Sequence, residues 1–180
     1  MPAQDVANRK TVDGEEARGG SDSTIDLAPT SIMPRIRRIL FATDFSKASV
    51  KAFDTAVTLA KANGATLILL HAIPPLTPIM PEQPIGDHTW EQIDLRGRQW
   101  AKEQLARLAQ KATNAGIHAT SALTDGEPAR QIVRMVRAKK ADLLVVGTHG
   151  RTGLTKFFLG SVAARVVATA PCPVVTVRGT

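Results

Sequence analysis

Five short apolar runs recur along this chain, and each of the first four is followed by a longer segment. The runs lie in the stretches "RILFA", "ATLILLHAI", "GIHATSALT", "ADLLVVG" and "PVVTVRG". Most of these runs are continuously apolar and lack the polar alternation of a half-exposed strand. Continuous apolar runs are typical of parallel strands covered by helices on both faces. The alternation of strand and helix patterns predicts an α/β fold with a five-stranded parallel sheet and helices on both faces, a Rossmann-like arrangement.

The intervening segments have helical periodicity. In the first, four apolar residues are spaced as one helical face, and Gly64 is placed to end the helix. Pro128 suits the first turn of the third helix. The second segment predicts a long helix from about Thr89 to Ala115, whose inward residues would be Ile93, Ala101, Leu105, Leu108 and Ala112.

Two regions lack such periodicity. Residues 1–33 are rich in Gly, Ser, Asp and Thr, which predicts a disordered tail ahead of a domain over residues 34–180. Residues 74–87 contain five prolines, which predicts an irregular loop.

Charge and composition limit the classes of partner. The net charge is +7, and because the tail holds six acids and three bases, residues 34–180 carry +10. A basic body attracts polyanions, but aromatics make up only 4% of the chain, so base-stacking platforms for nucleic acid are not expected.

No apolar stretch approaches the ~18 residues of a membrane span, and the start does not resemble a signal peptide, so we expect a cytoplasmic protein. The lone Cys172 is expected to be a small packing residue.

Polar and glycine-rich residues follow two of the predicted strands. Thr43 and Asp44 follow the first strand, and Gly147 ends the fourth. In open parallel sheets, ligands bind beyond the carboxyl ends of strands, where the strand order reverses. The glycine loop then enters a helix at Gly160-Ser161, and a helix N-terminus favours an anion. This arrangement, with Arg151 and Lys156 inside the loop, predicts a phosphate site.

The loop fits neither G-x-x-x-x-G-K-[ST] nor G-x-G-x-x-G. Its glycines have the spacing G-2x-G-9x-G-S from Gly147 to Ser161, which resembles the ATP-binding motif of the universal stress protein family. Four other segments match that family in order, over about residues 34–180: "ILFATDFS", "LILLHAI", "GEPARQIV" and "PCPVVTV". The resemblance implies the adenine nucleotide alpha hydrolase-like fold, a homodimer, and ATP as the ligand.

The resemblance also implies roles for individual residues. Asp44 would lie beside the adenosine, Ala42 near the base, and the backbone of Ala72 at the adenine edge. Gly147 would approach the ribose and phosphates, which the later loop residues would hold. The candidate nucleotide-binding set is Ala42, Thr43, Asp44, Ala72, Val146, Gly147, His149, Gly150, Arg151, Gly160, Ser161 and Val162.

Simpler interpretations stay open for several of these residues. Asp44 could only cap the first helix, the glycines could form only a tight turn, and Gly160-Ser161 could be only a helix start. His71 is expected to be a satisfied core histidine, and His149 a loop residue rather than a catalyst.

Three functions are consistent with these features. The leading one is an ATP-binding stress-response sensor or regulator; the alternatives are a slow ATP hydrolase and a dimeric scaffold that binds no nucleotide. Residues 147–169 contain no Asp or Glu, so efficient hydrolysis is not expected, and Mg²⁺ would be held mainly by phosphates and waters.

The C-terminal strand is expected to lie at an edge of the sheet, with Val174 and Thr176 on one face. We expect this edge to join two copies of the chain.

Overall fold

The computed structural model describes residues 35–75, 87–148 and 159–179. The predicted tail, most of the proline-rich loop, and His149, Gly150, Arg151 and Lys156 lie outside the described residues. The elements, in chain order, are β1 (Arg38–Ala42), α1 (Lys47–Asn63), β2 (Thr66–Ile73), α2 (Asp87–Asn114), β3 (Ala119–Asp125), α3 (Pro128–Lys139), β4 (Leu143–Gly147), α4 (Ser161–Thr169) and β5 (Val174–Val177).

All five strands are parallel and lie in the order β3-β2-β1-β4-β5. The fold class predicted from the sequence is therefore confirmed. β1 pairs with β2 on one side and β4 on the other, for example with Phe41 opposite both Leu69 and Val145. The chain thus winds outward in both directions from β1, and the strand order reverses between β1 and β4.

Two apolar layers cover the sheet. Ile39 and Phe41 face α1 and α2, whereas Leu40 and Ala42 face α3 and α4. Because the central strands are buried on both faces, they contain only apolar residues between their first position and their carboxyl ends. Burial of one such Leu, Ile or Phe side chain contributes about 1.5–3 kcal/mol.

Local sequence sets the ends of the helices. The side chain of Ser46 accepts a hydrogen bond from Ser49 N at the start of α1. Gly64 ends that helix in the left-handed conformation (φ 60°), where its N–H bonds to the carbonyls of Ala60 and Lys61. Pro128 occupies the first turn of α3, as predicted.

The first half of α2 departs from the sequence prediction. The periodicity predicts that Ile93 faces inward, but it is 46% exposed, whereas Ala101, Leu105 and Ala112 are buried as expected. The physical reason is length: 28 residues of helix span about 42 Å, and the seven residues of β3 only about 23 Å. Among the described residues, no strand therefore lies beneath the N-terminal half of α2 to cover its apolar residues.

Candidate functional site

A crevice of about 410 Å³ opens at the carboxyl ends of β1, β2 and β4. The switch in strand order between β1 and β4 leaves this gap, because the connections after these two strands lead to opposite faces of the sheet. The crevice is lined by Ala42, Thr43, Asp44, Ser49, Leu70, His71, Ala72, Pro74, Pro128, Ile132, Val146, Gly147, Thr148, Gly160, Ser161, Val162 and Ala163.

The turn after β1 places Asp44 at the crevice. Thr43 N donates to Leu70 O (2.9 Å), which extends the pairing of β1 with β2 by one residue. Asp44 Oδ1 then accepts a hydrogen bond from Ser46 N (3.0 Å), so this carboxylate closes a short turn. Since Ser46 caps α1, the interpretation of Asp44 as the cap itself is wrong.

His71 supports this turn from β2. Its Nδ1 lies 2.7 Å from Thr43 O and, because a carbonyl oxygen only accepts, Nδ1 carries the hydrogen. The side chain is only 9% exposed. The expectation of a satisfied core histidine is confirmed, although the same residue also lines the crevice.

The other wall comes from β4 and the start of α4. Thr148 N donates to Val177 O (2.9 Å), and Gly160 N donates to Thr148 O (2.7 Å), which brings the two ends of the glycine loop together. Gly160 is the N-cap of α4, and no side chain caps this helix among the described residues. The first helical hydrogen bond runs from Ala164 N to Gly160 O, so the preceding N–H groups have no acceptor inside the helix.

The helix α3 contributes a contrasting N-terminus. Glu127 caps it, and its carboxylate accepts hydrogen bonds from Ala129 N (3.1 Å) and Arg130 N (2.9 Å). Burial raises the pKa of Glu127, but the two N–H bonds and the guanidinium of Arg165, 3.5 Å away, outweigh burial and lower that pKa. The start of α3 therefore already holds a negative charge, whereas the start of α4 does not.

Nine of the twelve predicted site residues lie together in this crevice: Ala42, Thr43, Asp44, Ala72, Val146, Gly147, Gly160, Ser161 and Val162. The other three, His149, Gly150 and Arg151, are outside the described residues. Sequence reasoning missed the wall formed by Pro128 and Ile132. The sequence contains the signal, since α3 begins at the carboxyl edge of the sheet, but by itself Pro128 indicates only a helix start.

The family model described as "Universal stress protein family" matches residues 35–178. The chain belongs to this family. A universal stress protein of Methanocaldococcus jannaschii is 34% identical over 142 residues, which are 79% of this chain and 82% of that relative. The resemblance found in the sequence is confirmed at the level of the family.

Solved structures of universal stress proteins share the fold. The protein UspA from Lactobacillus plantarum has a TM-score of 0.71 at 24% identity, and the match covers 81% of this chain and 99% of that one. A universal stress protein solved in complex with cAMP has a TM-score of 0.60 at 27% identity, and the match covers 82% of this chain and all of that one. In the parts of this chain that the structure describes, no helix is long and apolar enough to cross a membrane.

Proposed function

We propose that this universal stress protein binds ATP in the crevice between β1 and β4 and acts as a sensor or regulator in the stress response. The observation that carries the proposal is the start of α4, which has no side-chain cap and lines an otherwise largely apolar crevice. The volume of about 410 Å³ lies within the range of about 300–1,000 Å³ found for small-molecule sites.

Electrostatics favour one orientation of the nucleotide. The N-terminus of α4 presents N–H groups and the positive end of the helix dipole, which suits the phosphates. The N-terminus of α3 is already neutralised by Glu127, whose carboxylate would repel a phosphate. We therefore propose that Gly160, Ser161 and Val162 hold phosphates and that the adenosine lies toward β2 and α3.

The adenosine end is lined mainly by apolar groups. Ala42, Ala72, Pro74 and Ile132 line this part of the crevice, and Asp44 provides a carboxylate at its rim. An apolar slot with a few polar groups at its edge suits a purine base and a ribose hydroxyl. The relative in complex with cAMP supports an adenine nucleotide as the class of ligand.

Several parts of the proposal rest on the family resemblance and the sequence. We propose that Mg²⁺, where present, is held mainly by the phosphates, because residues 147–169 contain no acid. A homodimer joined along β5 and a cytoplasmic location complete the proposal. The sheet order supports the first of these, because β5 is an edge strand.

The decisive experiment changes charge at the start of α4 and leaves the helix intact. Gly160 has φ −57° and ψ 150°, a conformation that any residue adopts, so Asp and Asn are both suitable N-caps there. We expect Gly160→Asp to weaken ATP binding at least tenfold in calorimetric titration, or about 1.4 kcal/mol. Gly160→Asn is the matched control, because it also caps the helix but adds no charge, and we expect a much smaller loss.

Both variants should melt without nucleotide at or slightly above the temperature of the unmodified protein, since either side chain caps α4. Equal ATP affinities for the Asp and Asn variants would show that phosphate does not lie at this helix. Absence of ATP binding at millimolar concentration, after any co-purified ligand is stripped, would overturn the proposed function itself.

A further inference from the structure

Phe45 has a backbone conformation that is unusual for its side chain. Its φ is 62°, in the left-handed region that a large non-glycine residue rarely adopts. The neighbouring contacts explain how this conformation persists. Phe45 N donates to Thr43 Oγ1 (2.9 Å), and Ser46 N donates to Asp44 Oδ1 (3.0 Å), so residues 43–46 form one tightly bonded turn. Strained residues of this kind persist only where their surroundings hold them in place.

The hydroxyl groups around this turn form a continuous chain. Thr43 Oγ1 donates to Ser49 Oγ (3.0 Å), and Ser49 Oγ donates to Ser46 O (2.7 Å). Thr43 and Ser49 also line the crevice. These bonds tie the turn to the first turn of α1, but they do not fix the position of the Phe45 ring.

The ring of Phe45 is held between two other aromatic groups. Its centroid lies 4.4 Å from that of His71, in a tilted arrangement, and 5.2 Å from that of Trp100, edge to face. His71 lines the crevice and donates to Thr43 O, whereas Trp100 lies on α2 and is 43% exposed. The ring therefore connects the turn that carries Asp44 with both β2 and α2.

We propose that Phe45 is a positioning residue for nucleotide binding. Its ring, held by His71 and Trp100, keeps the turn in the left-handed conformation that directs Asp44 to the crevice. This inference rests on the proposed function of the crevice, and it adds a residue that lies outside the crevice lining. Trp100 on α2 does not line the crevice either, and its ring contact with Phe45 connects it to the turn.

The test compares ring removal at Phe45 with ring removal elsewhere in the same apolar layer. We expect Phe45→Gly, which adopts φ 62° freely but lacks the ring, to weaken ATP binding at least tenfold. Phe45→Tyr keeps the ring and should bind within twofold of the unmodified protein. Phe53→Leu is the matched control: it removes a ring that packs edge to face on Phe41, so it should lower stability but leave ATP affinity within twofold.

A second variant and a measurement without nucleotide distinguish a failure of the role of Phe45 from a failure of the proposed function. Trp100→Leu changes a half-exposed side chain and should weaken ATP binding at least threefold. Without nucleotide, both Phe45→Gly and Trp100→Leu should accelerate amide hydrogen exchange at residues 45 and 46 at least tenfold, with Phe41 in β1 unchanged.

Unchanged ATP affinity and unchanged exchange at residues 45 and 46 in Trp100→Leu would overturn the inference. The same holds if Phe45→Gly folds and binds ATP like Phe53→Leu. If the unmodified protein binds no ATP but the exchange effects occur, the proposed function fails while the positioning of the turn by Phe45 stands.

Discussion

Glu127 shows how one side chain distinguishes two helix N-termini that face the same crevice. The carboxylate accepts hydrogen bonds from two N–H groups of α3 and lies near Arg165 of α4. The equivalent position before α4 is Gly160, which has no side chain to do this. A helix N-terminus attracts a bound anion only if the protein has not already supplied one, so these two residues give the crevice its polarity.

The same residue gives a prediction on stability. Glu127→Ala removes the cap of α3 and should lower the free energy of unfolding by about 0.5–1 kcal/mol at pH 7, toward the lower end for caps because the side chain is 43% exposed. Urea unfolding, followed by circular dichroism, measures this loss. Glu127→Gln is the control that keeps an acceptor oxygen but removes the charge.

The effect of pH follows from the lowered pKa of Glu127. Because the pKa is lower in the folded protein than its ordinary value of 4.5, the charge stabilises the fold above that value, and the contribution is lost as pH falls through the folded-state pKa. The stability difference between the unmodified protein and Glu127→Gln should therefore be constant near neutral pH and shrink below about 4.5. A difference that stays constant down to pH 3 would show that the charge contributes nothing.

At the scale of the elements, the local pattern predicted the strands and helices well because their signals are local. Each apolar run marks a strand. Pro128 marks the start of α3, and Gly64 marks the end of α1. The exposure of Ile93 could not be predicted in this way, since it depends on how far α2 extends beyond β3. The wall formed by Pro128 and Ile132 also depends on which helix borders the gap in the sheet, and that follows from strand order.

The edge strand β5 gives a prediction on assembly. Pro173 O accepts a hydrogen bond from Leu144 N in β4, and Val177 O accepts one from Thr148 N just after β4, so in this parallel ladder the backbone of every second residue points toward β4. The backbone N–H of Thr176, which alternates with these residues, therefore points away from the sheet, where a second copy would pair. We expect Thr176→Pro to convert the proposed dimer to a monomer in light scattering, because it removes this donor and proline is tolerated on an edge strand.

Thr176→Val, which keeps the donor, is the matched control and should remain dimeric. Val175→Pro would be a poorer test, since its position in the ladder directs its backbone toward β4 within the same chain. A Thr176→Pro protein that stays dimeric, with its circular dichroism spectrum unchanged, would show that the copies do not pair along β5. An unmodified protein that is monomeric at tens of micromolar would contradict the dimer itself.

At the scale of the whole molecule, the sequence separates an acidic segment from a basic domain. Residues 1–33 carry a net charge of −3 and their apolar residues have no helix or strand period, whereas the family model begins at residue 35. Ordering a backbone costs about 1–2 kcal/mol per residue, and this segment has little apolar surface to offset that cost. We therefore predict that deletion of residues 1–33 leaves the melting temperature and the ATP affinity unchanged, and that trypsin removes this segment first by cutting after Arg35.

A docked segment that contributed even 1 kcal/mol would move the melting temperature of a chain of this size by roughly 2–4 °C, which calorimetry resolves. A drop of several degrees on deletion would show that the segment packs on the domain, and repeating the comparison at high salt would then establish whether charge holds it there.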